Sequence, residues 1–155
     1  MKVLSIRNRQ RTRAVDLKLL KRIIQHLLHE QLSRNDYELG FHLVGAEEMA
    51  EVNEGFLQHS GSTDVITFDY NDPSSETLRG EAFICIDDAI SQAKDYKTTW
   101  QSELTRYAVH AVLHLLGYDD LVPAKRRVMK REENRLMKEL AEEFTLSKLH
   151  STKTR

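Results

Sequence analysis

The sequence predicts an α+β fold in a single domain, with a mixed sheet of roughly four strands packed against helices. Segments rich in β-branched and aromatic residues lie within the first 86 positions, whereas the longest helical patterns lie in the second half. With 6 glycines and 2 prolines in 155 residues, no stretch has the composition of an interdomain linker, and no internal repeat is present. We therefore expect one domain over residues 1–155.

Strand and helix patterns alternate in the first half of the chain. Residues 3–6 form a short β-branched segment, and the polar run 7–13 leads to a helix whose apolar positions recur from 15 to 28. Residues 37–43 alternate between apolar and polar types, which predicts a half-buried strand, and 46–57 predict a second helix. These four elements account for the chain before the first cluster of functional candidates.

Two further strands and three helices follow. Residues 65–68 and 82–86 are β-branched and aromatic, and a polar loop at 71–75 separates them. Asp87 and Asp88 are expected to cap a helix that runs to residue 96. Another helix is predicted at 99–116, and the last at 123–144, with Pro123 at its first position.

Composition narrows the possible classes of protein. The chain is 40% hydrophobic and 30% charged, with a net charge of -1, as is ordinary for a globular domain. No apolar run approaches the roughly 20 residues that span a bilayer, and residues 1–4 do not begin the long apolar stretch that is typical of a secretory signal. Cys85 is the single cysteine, so an internal disulfide is excluded. We expect a cytoplasmic protein stabilised by its core or by a metal.

The strongest chemical signal is a pair of histidines near the end of the helix predicted at 99–116. His110 and His114 are four residues apart, so both imidazoles project from one helix face about one turn apart. Gly117 follows where the helix should end, and Asp120 comes three residues later. Two imidazoles and one carboxylate are typical zinc ligands, and three protein ligands leave a fourth position open. The pattern predicts a catalytic helix–turn site with one Zn²⁺ per chain.

Other interpretations of these residues stay open. Asp119 and Asp120 both precede the last helix, where either carboxylate would interact favourably with the positive helix end. Glu103 and Arg106 share the face of His110, where Glu103 could support a ligand or contact substrate. The alternative is that the two residues form a solvated polar stripe. His26, His29, His42 and His150 are interpreted as surface or structural residues.

Three segments resemble the YbeY family of endoribonucleases. They are residues 107–120, YAVHAVLHLLGYDD; residues 53–68, which end in TDVITF; and residues 80–84, GEAFI. The resemblance implies a zinc-binding α+β fold in the bacterial cytoplasm that acts on single-stranded RNA in ribosomal RNA maturation and ribosome quality control. It also implies binding to a ribosomal subunit or a ribosomal protein as a partner, with no membrane or DNA binding.

The chain departs from the family pattern at two positions. Asp120 stands where the family usually has a third histidine, although a carboxylate can also ligate zinc. Leu57 stands at the family's usual arginine, which removes a cation that would contact phosphate. His59, two residues later, is a candidate proton donor or a surface-loop residue. We take His59 and Asp119 as the candidate catalytic residues.

A basic run after the motif is the candidate RNA-binding surface. It lies at the start of the last helix, and its members are Lys125, Arg126, Arg127, Lys130 and Arg131. The alternative is a solvated helix that pairs these residues with Glu132, Glu133 and Glu139. Three aromatic residues near the motifs are candidates for base stacking, with core packing as the alternative for the first: Phe56, Tyr70 and Tyr118.

The leading hypothesis is a zinc-dependent endoribonuclease. The alternative is a non-catalytic ribosome-assembly or RNA-binding factor that zinc stabilises. A metalloprotease is disfavoured, because Ala111 occupies the position after the first histidine where such enzymes carry a glutamate base.

Overall fold

A computed structural model describes residues 1–56 and 63–151, and within them it confirms the mixed four-stranded sheet. The sheet order is β1-β2-β4-β3. β1 pairs parallel to β2 and β2 parallel to β4, whereas β3 runs antiparallel to β4. The strands are β1 (Lys2–Asn8), β2 (Tyr37–Val44), β3 (Val65–Asp69) and β4 (Leu78–Cys85).

The helices lie close to their predicted positions. After α1, the chain continues through one π-helical turn at Leu27–Gln31, and after α5 it ends in a short 3₁₀ turn at Leu146–Leu149. None of the described helices has both the length and the apolar character needed to cross a membrane. The helices are α1 (Leu17–His26), α2 (Ala46–Phe56), α3 (Ile86–Tyr96), α4 (Trp100–Leu115) and α5 (Pro123–Glu143).

The main core lies between one face of the sheet and the helices α1, α4 and α5. Strand residues of alternating positions point into it, including Leu39, Phe41 and Ile84, which are 0–2% exposed. α4 is buried nearly all round in this layer, as its apolar sequence predicts. A smaller core on the opposite face packs α2 against the sheet through Met49 and Val52.

Two strand boundaries differ from the prediction by more than one residue. β1 extends to Asn8 and β4 begins at Leu78, because backbone pairing with β2 continues past the apolar residues that define each pattern. Pairing depends on the neighbouring strand, whereas the sequence pattern reports only side-chain burial.

The predicted role of Asp87 in capping α3 is wrong. α3 begins at Ile86 with Cys85 at the N-cap position, so Asp87 already lies in the first turn. Its Oδ2 instead accepts the backbone N–H of Ala46 at 2.7 Å, and its Oδ1 accepts the Thr12 hydroxyl at 2.8 Å. The carboxylate therefore satisfies a free N–H at the start of α2, a partner distant in sequence.

Candidate metal centre

The end of α4 places the two histidines and then reverses the chain. Gly117 has a φ of 103°, a left-handed conformation that costs glycine little and terminates the helix. The N–H of Tyr118 donates to the Leu113 carbonyl at 3.0 Å, which closes the turn. This turn directs residues 119 and 120 back toward the exposed side of α4.

The turn brings the carboxylate of Asp120 to both imidazoles. Its Oδ2 lies 3.4 Å from Nε2 of His114 and 3.7 Å from Nε2 of His110. One ligand atom from each of the three residues lies within 4.8 Å of the others. Among the described residues, His110, His114 and Asp120 form a group of potential metal ligands, and they are the triad that the sequence predicts.

The two carboxylate–imidazole distances fit a tetrahedral ion. Ligand atoms about 2.0–2.1 Å from Zn²⁺ in a tetrahedron lie roughly 3.3 Å apart, close to both carboxylate–imidazole distances. The three side chains are 28–37% exposed, so the group lies at the surface with one side open. The donor set of two nitrogens and one oxygen, with this open side, suits a zinc site that admits water or substrate.

Glu133 of α5 forms a hydrogen bond with the ring nitrogen of His110 that does not face the triad. Its Oε1 lies 2.9 Å from Nδ1 of His110, and its Oε2 accepts a hydrogen bond from Arg106 at 2.8 Å. Burial alone would raise the pKa of the Glu133 carboxyl, but the hydrogen bonds from His110 and Arg106 outweigh it and lower the pKa to about 2. The ionised carboxylate only accepts hydrogen bonds, so Nδ1 carries the proton and Nε2 is left for a metal.

This buried role of Glu133 corrects its interpretation as part of a solvated charge pattern. Glu133 is 4% exposed and lies on the buried face of α5 together with Met129, Leu136 and Leu140. A glutamate at helical spacing among buried apolar residues is the sequence signal that points to this role. Two of its partners, Arg106 and His110, lie on α4, which the α5 sequence alone does not indicate.

The solvated-stripe interpretation of Glu103 and Arg106 also fails. Glu103 is 5% exposed and accepts the Thr98 hydroxyl at 2.6 Å. Arg106 donates to Glu133 and, at 2.8 Å, to Oδ1 of Asn134. Arg106 therefore supports the ligand His110 through Glu133, whereas Glu103 stabilises the start of α4.

The two candidate catalytic residues lie in different situations. Asp119 is adjacent to the triad, but its Oδ1 accepts the N–H of Leu121 at 2.8 Å and so shapes the turn. His59 lies outside the described residues, as does Leu57.

Tyr107 of α4 is buried one turn before His110. Burial, aided by the carboxylates of Asp64 and Glu103, raises the pKa of its hydroxyl. The hydroxyl therefore stays protonated at neutral pH.

The residues of the basic run are exposed, and part of the run faces the triad. Arg126 donates from Nε to the Asp120 carbonyl at 3.0 Å, and Lys130 lies 3.3 Å from Oε2 of Glu133. These two side chains line a cleft that opens beside His110 and Asp120. The other members, Lys125, Arg127 and Arg131, are exposed and do not line the cleft.

The candidate stacking residues are dispersed. Phe56 is 71% exposed and touches Phe68 edge-on, so the core-packing alternative is wrong for it. Tyr70 is exposed and donates to Oε2 of Glu81 at 2.8 Å, on the face of the sheet away from α4. Tyr118 packs against the main core. None of the three lines the cleft beside the triad.

Among the residues that the structure describes, four histidines lie outside the triad. His29 lies 2.7 Å from the Tyr37 hydroxyl, and His42 lies 3.1 Å from Oε1 of Glu81. The rings of His26 and His150 contact Phe144 and Trp100 edge-on. These contacts are those of structural residues.

We expect Asp120→Ala to weaken Zn²⁺ affinity by more than about tenfold, because it removes the oxygen donor from the triad. Affinity is measured by competition with a chromogenic chelator. The matched control is Asp119→Ala, which removes a neighbouring carboxylate that bonds to the turn, and its zinc affinity should stay close to wild type. The opposite ranking would show that Asp119 supplies the ligand.

Comparison with known proteins agrees with this architecture. The family model described as Endoribonuclease YbeY matches residues 5–141. A relative named Endoribonuclease YbeY from Chlorobium luteolum is 34% identical over 137 residues, which cover 88% of this chain and 97% of that protein. Another of the same name, from Parabacteroides distasonis, is 34% identical over 114 residues, covering 74% of this chain and 79% of the relative.

A solved structure supports the fold independently. The solution structure of a Thermotoga maritima protein superposes with a TM-score of 0.65 at 23% identity, covering 97% of this chain and 99% of that one. The matched family region contains α4, the turn and the His110, His114 and Asp120 triad. By the extent of the family match and the identity to its relatives, this chain belongs to the YbeY endoribonuclease family.

Proposed function

We propose that this chain is a zinc-dependent endoribonuclease that cleaves single-stranded RNA in ribosomal RNA maturation and ribosome quality control in the bacterial cytoplasm. The observation that carries the proposal is the convergence of His110, His114 and Asp120 beside a cleft bordered by cations. The relatives' name, Endoribonuclease YbeY, supports an RNA phosphodiester as the bond cleaved. A ribosomal subunit or ribosomal protein is the proposed partner that delivers the RNA.

The residues around the triad suit phosphate chemistry. When bound, Zn²⁺ would act as a Lewis acid and lower the pKa of water at the open position. Glu133 fixes the His110 ring so that Nε2 is left to bind the metal, while Arg126 and Lys130 place positive charge beside the triad, where a phosphate would lie. We propose His59 and Asp119 as the residues that move protons during the reaction.

Cleavage by purified protein tests the proposal directly. Zinc-loaded protein should cut a fluorescently labelled single-stranded RNA, chelation should stop the reaction, and added Zn²⁺ should restore it, because the triad alone lacks a Lewis acid. Chelation should also lower the melting temperature, since the metal binds only the folded state. Cleavage that persists with less than about a tenth of a zinc per chain would contradict the proposal.

The same experiment separates the alternative function. A zinc-stabilised assembly factor would lose thermal stability on chelation and would bind RNA, yet the zinc-loaded protein would not cut it. A metalloprotease would instead degrade casein, which we do not expect because Ala111 lies where the general base would be needed.

A further inference from the structure

A cleft of about 550 Å³ extends from the triad into the space between α3, α4 and α5. His110 and Asp120 lie at one end, and the walls continue to residues at the end of α3 and the start of β3. This volume falls within the range of about 300–1,000 Å³ for sites that bind small organic molecules. The cleft therefore has room for more than the phosphate at the metal.

The end of the cleft nearest the triad carries more positive than negative charge. Its cations are Arg106, Arg126 and Lys130, and its carboxylates are Asp120 and Glu133. Arg126 is tied to the Asp120 carbonyl, and Lys130, whose side chain is 62% exposed, lies next to Glu133. Both belong to the first half of α5, which follows the turn that carries Asp120. A phosphate is the group that this end would bind, within reach of the metal ligands.

The far end has a different chemistry. Tyr96, the last residue of α3, lines the cleft and is 68% exposed. Gln92 and Asp64 lie beside it, with their side chains 3.4 Å apart. An exposed aromatic ring offers a stacking surface, and the amide and carboxylate offer hydrogen-bonding groups to the edge of a base.

The two ends together match one nucleotide. A second phosphate at the far end would meet the negative charges of Asp64 and Glu103, both of which line the cleft. A base is uncharged and has an aromatic face, so it suits Tyr96 and its neighbours better than an anion does. Phosphate at one end and base at the other is the arrangement within a single nucleotide.

We propose that this cleft is a nucleotide subsite, in which Tyr96 stacks on the base and Arg126 and Lys130 bind the phosphate of the RNA nucleotide next to the cleaved bond. The inference rests on the proposed endoribonuclease function, since it assigns the orientation of the same substrate. It makes Tyr96, rather than Phe56, Tyr70 or Tyr118, the aromatic residue that determines RNA affinity at the metal centre.

Adenosine 5′-monophosphate tests the subsite without requiring cleavage, because it contains no internucleotide bond. Binding to the zinc-loaded protein is followed by two-dimensional ¹H–¹⁵N spectra. Tyr96→Ala should weaken nucleotide binding on the order of tenfold, whereas Tyr96→Phe, which keeps the ring, should bind like wild type. Tyr70→Ala is the matched control, since it removes an exposed tyrosine ring that does not line the cleft.

Inorganic phosphate supplies the comparison ligand. It should bind wild type and Tyr96→Ala equally, and more weakly than the nucleotide binds wild type, because it has no base. In cleavage assays, Tyr96→Ala should raise the KM for RNA by a similar factor with little change in kcat or zinc content. A raised KM with unchanged kcat and zinc content would not arise from a purely structural defect.

Three outcomes would overturn the subsite: equal nucleotide binding by wild type and Tyr96→Ala, equal loss in Tyr96→Ala and Tyr70→Ala, or no shifts in the cleft at millimolar nucleotide. Failure of the proposed function gives a different result. Zinc-loaded wild type would then leave RNA intact, while selective loss of nucleotide binding in Tyr96→Ala would still support the cleft as a nucleotide site.

Discussion

His114→Ala is expected to remove bound zinc and to reduce RNA cleavage by more than about a hundredfold, beyond the 10- to 100-fold effect typical of residues behind a metal ligand. Nε2 of His114 is the triad atom closest to the Asp120 carboxylate, at 3.4 Å. Its loss leaves one imidazole and one carboxylate, too few ligands to compete with solvent for Zn²⁺. Elemental analysis and initial rates on labelled RNA measure the two effects.

The control is His150→Ala, which removes an exposed histidine whose ring contacts Trp100 at the start of α4. Its zinc content and cleavage rate should match wild type. Circular dichroism of His114→Ala should show that the helices persist, because this side chain is 28% exposed and adds little to the core. Full zinc content in folded His114→Ala would show that the metal is held elsewhere in the chain.

Gly80→Ala is expected to cause the largest loss of stability from a single added methyl group. A Cβ at Gly80 would lie 2.6 and 2.8 Å from the two Cδ atoms of Leu115 and 2.8 Å from the Phe68 carbonyl oxygen. The backbone oxygen belongs to the paired strand β3 and cannot move away without breaking the pairing. Overpacking of this kind typically costs about 1–3 kcal/mol in the free energy of unfolding.

Denaturant titration measures this loss, and Gly40→Ala provides the matched control on the neighbouring strand. A Cβ at Gly40 would meet its nearest atoms at 3.5 and 3.6 Å, which is ordinary contact. The control should therefore stay within about 0.5 kcal/mol of wild type. Because Leu115 is adjacent to the ligand His114, displacement of Leu115 in Gly80→Ala should also reduce zinc affinity. Equal stability of Gly80→Ala and Gly40→Ala would contradict the close packing of α4 on the sheet.

The agreement between sequence and structure is best along α4. Its helical period, the two histidines and the following glycine are local features, and all three occupy the predicted places. Boundaries were less predictable where backbone pairing extends beyond the apolar pattern, as at Asn8 and Leu78. The partner of Asp87 was not predictable, because Ala46 lies 41 residues away along the chain.

The sequence by itself determined that the two imidazoles lie on one helix face, since residues four apart on a helix share a face. It also determined where the chain turns after α4, since glycine permits the left-handed conformation. Only the tertiary structure decided that Asp120 reaches both imidazoles, that Glu133 is buried against His110, and that Tyr96 and Lys130 border one cleft. Those relations join α3, α4, α5 and the turn between the last two. These relations depend on how the helices pack against one another. Helix packing is not specified by hydrogen bonds between residues close in sequence.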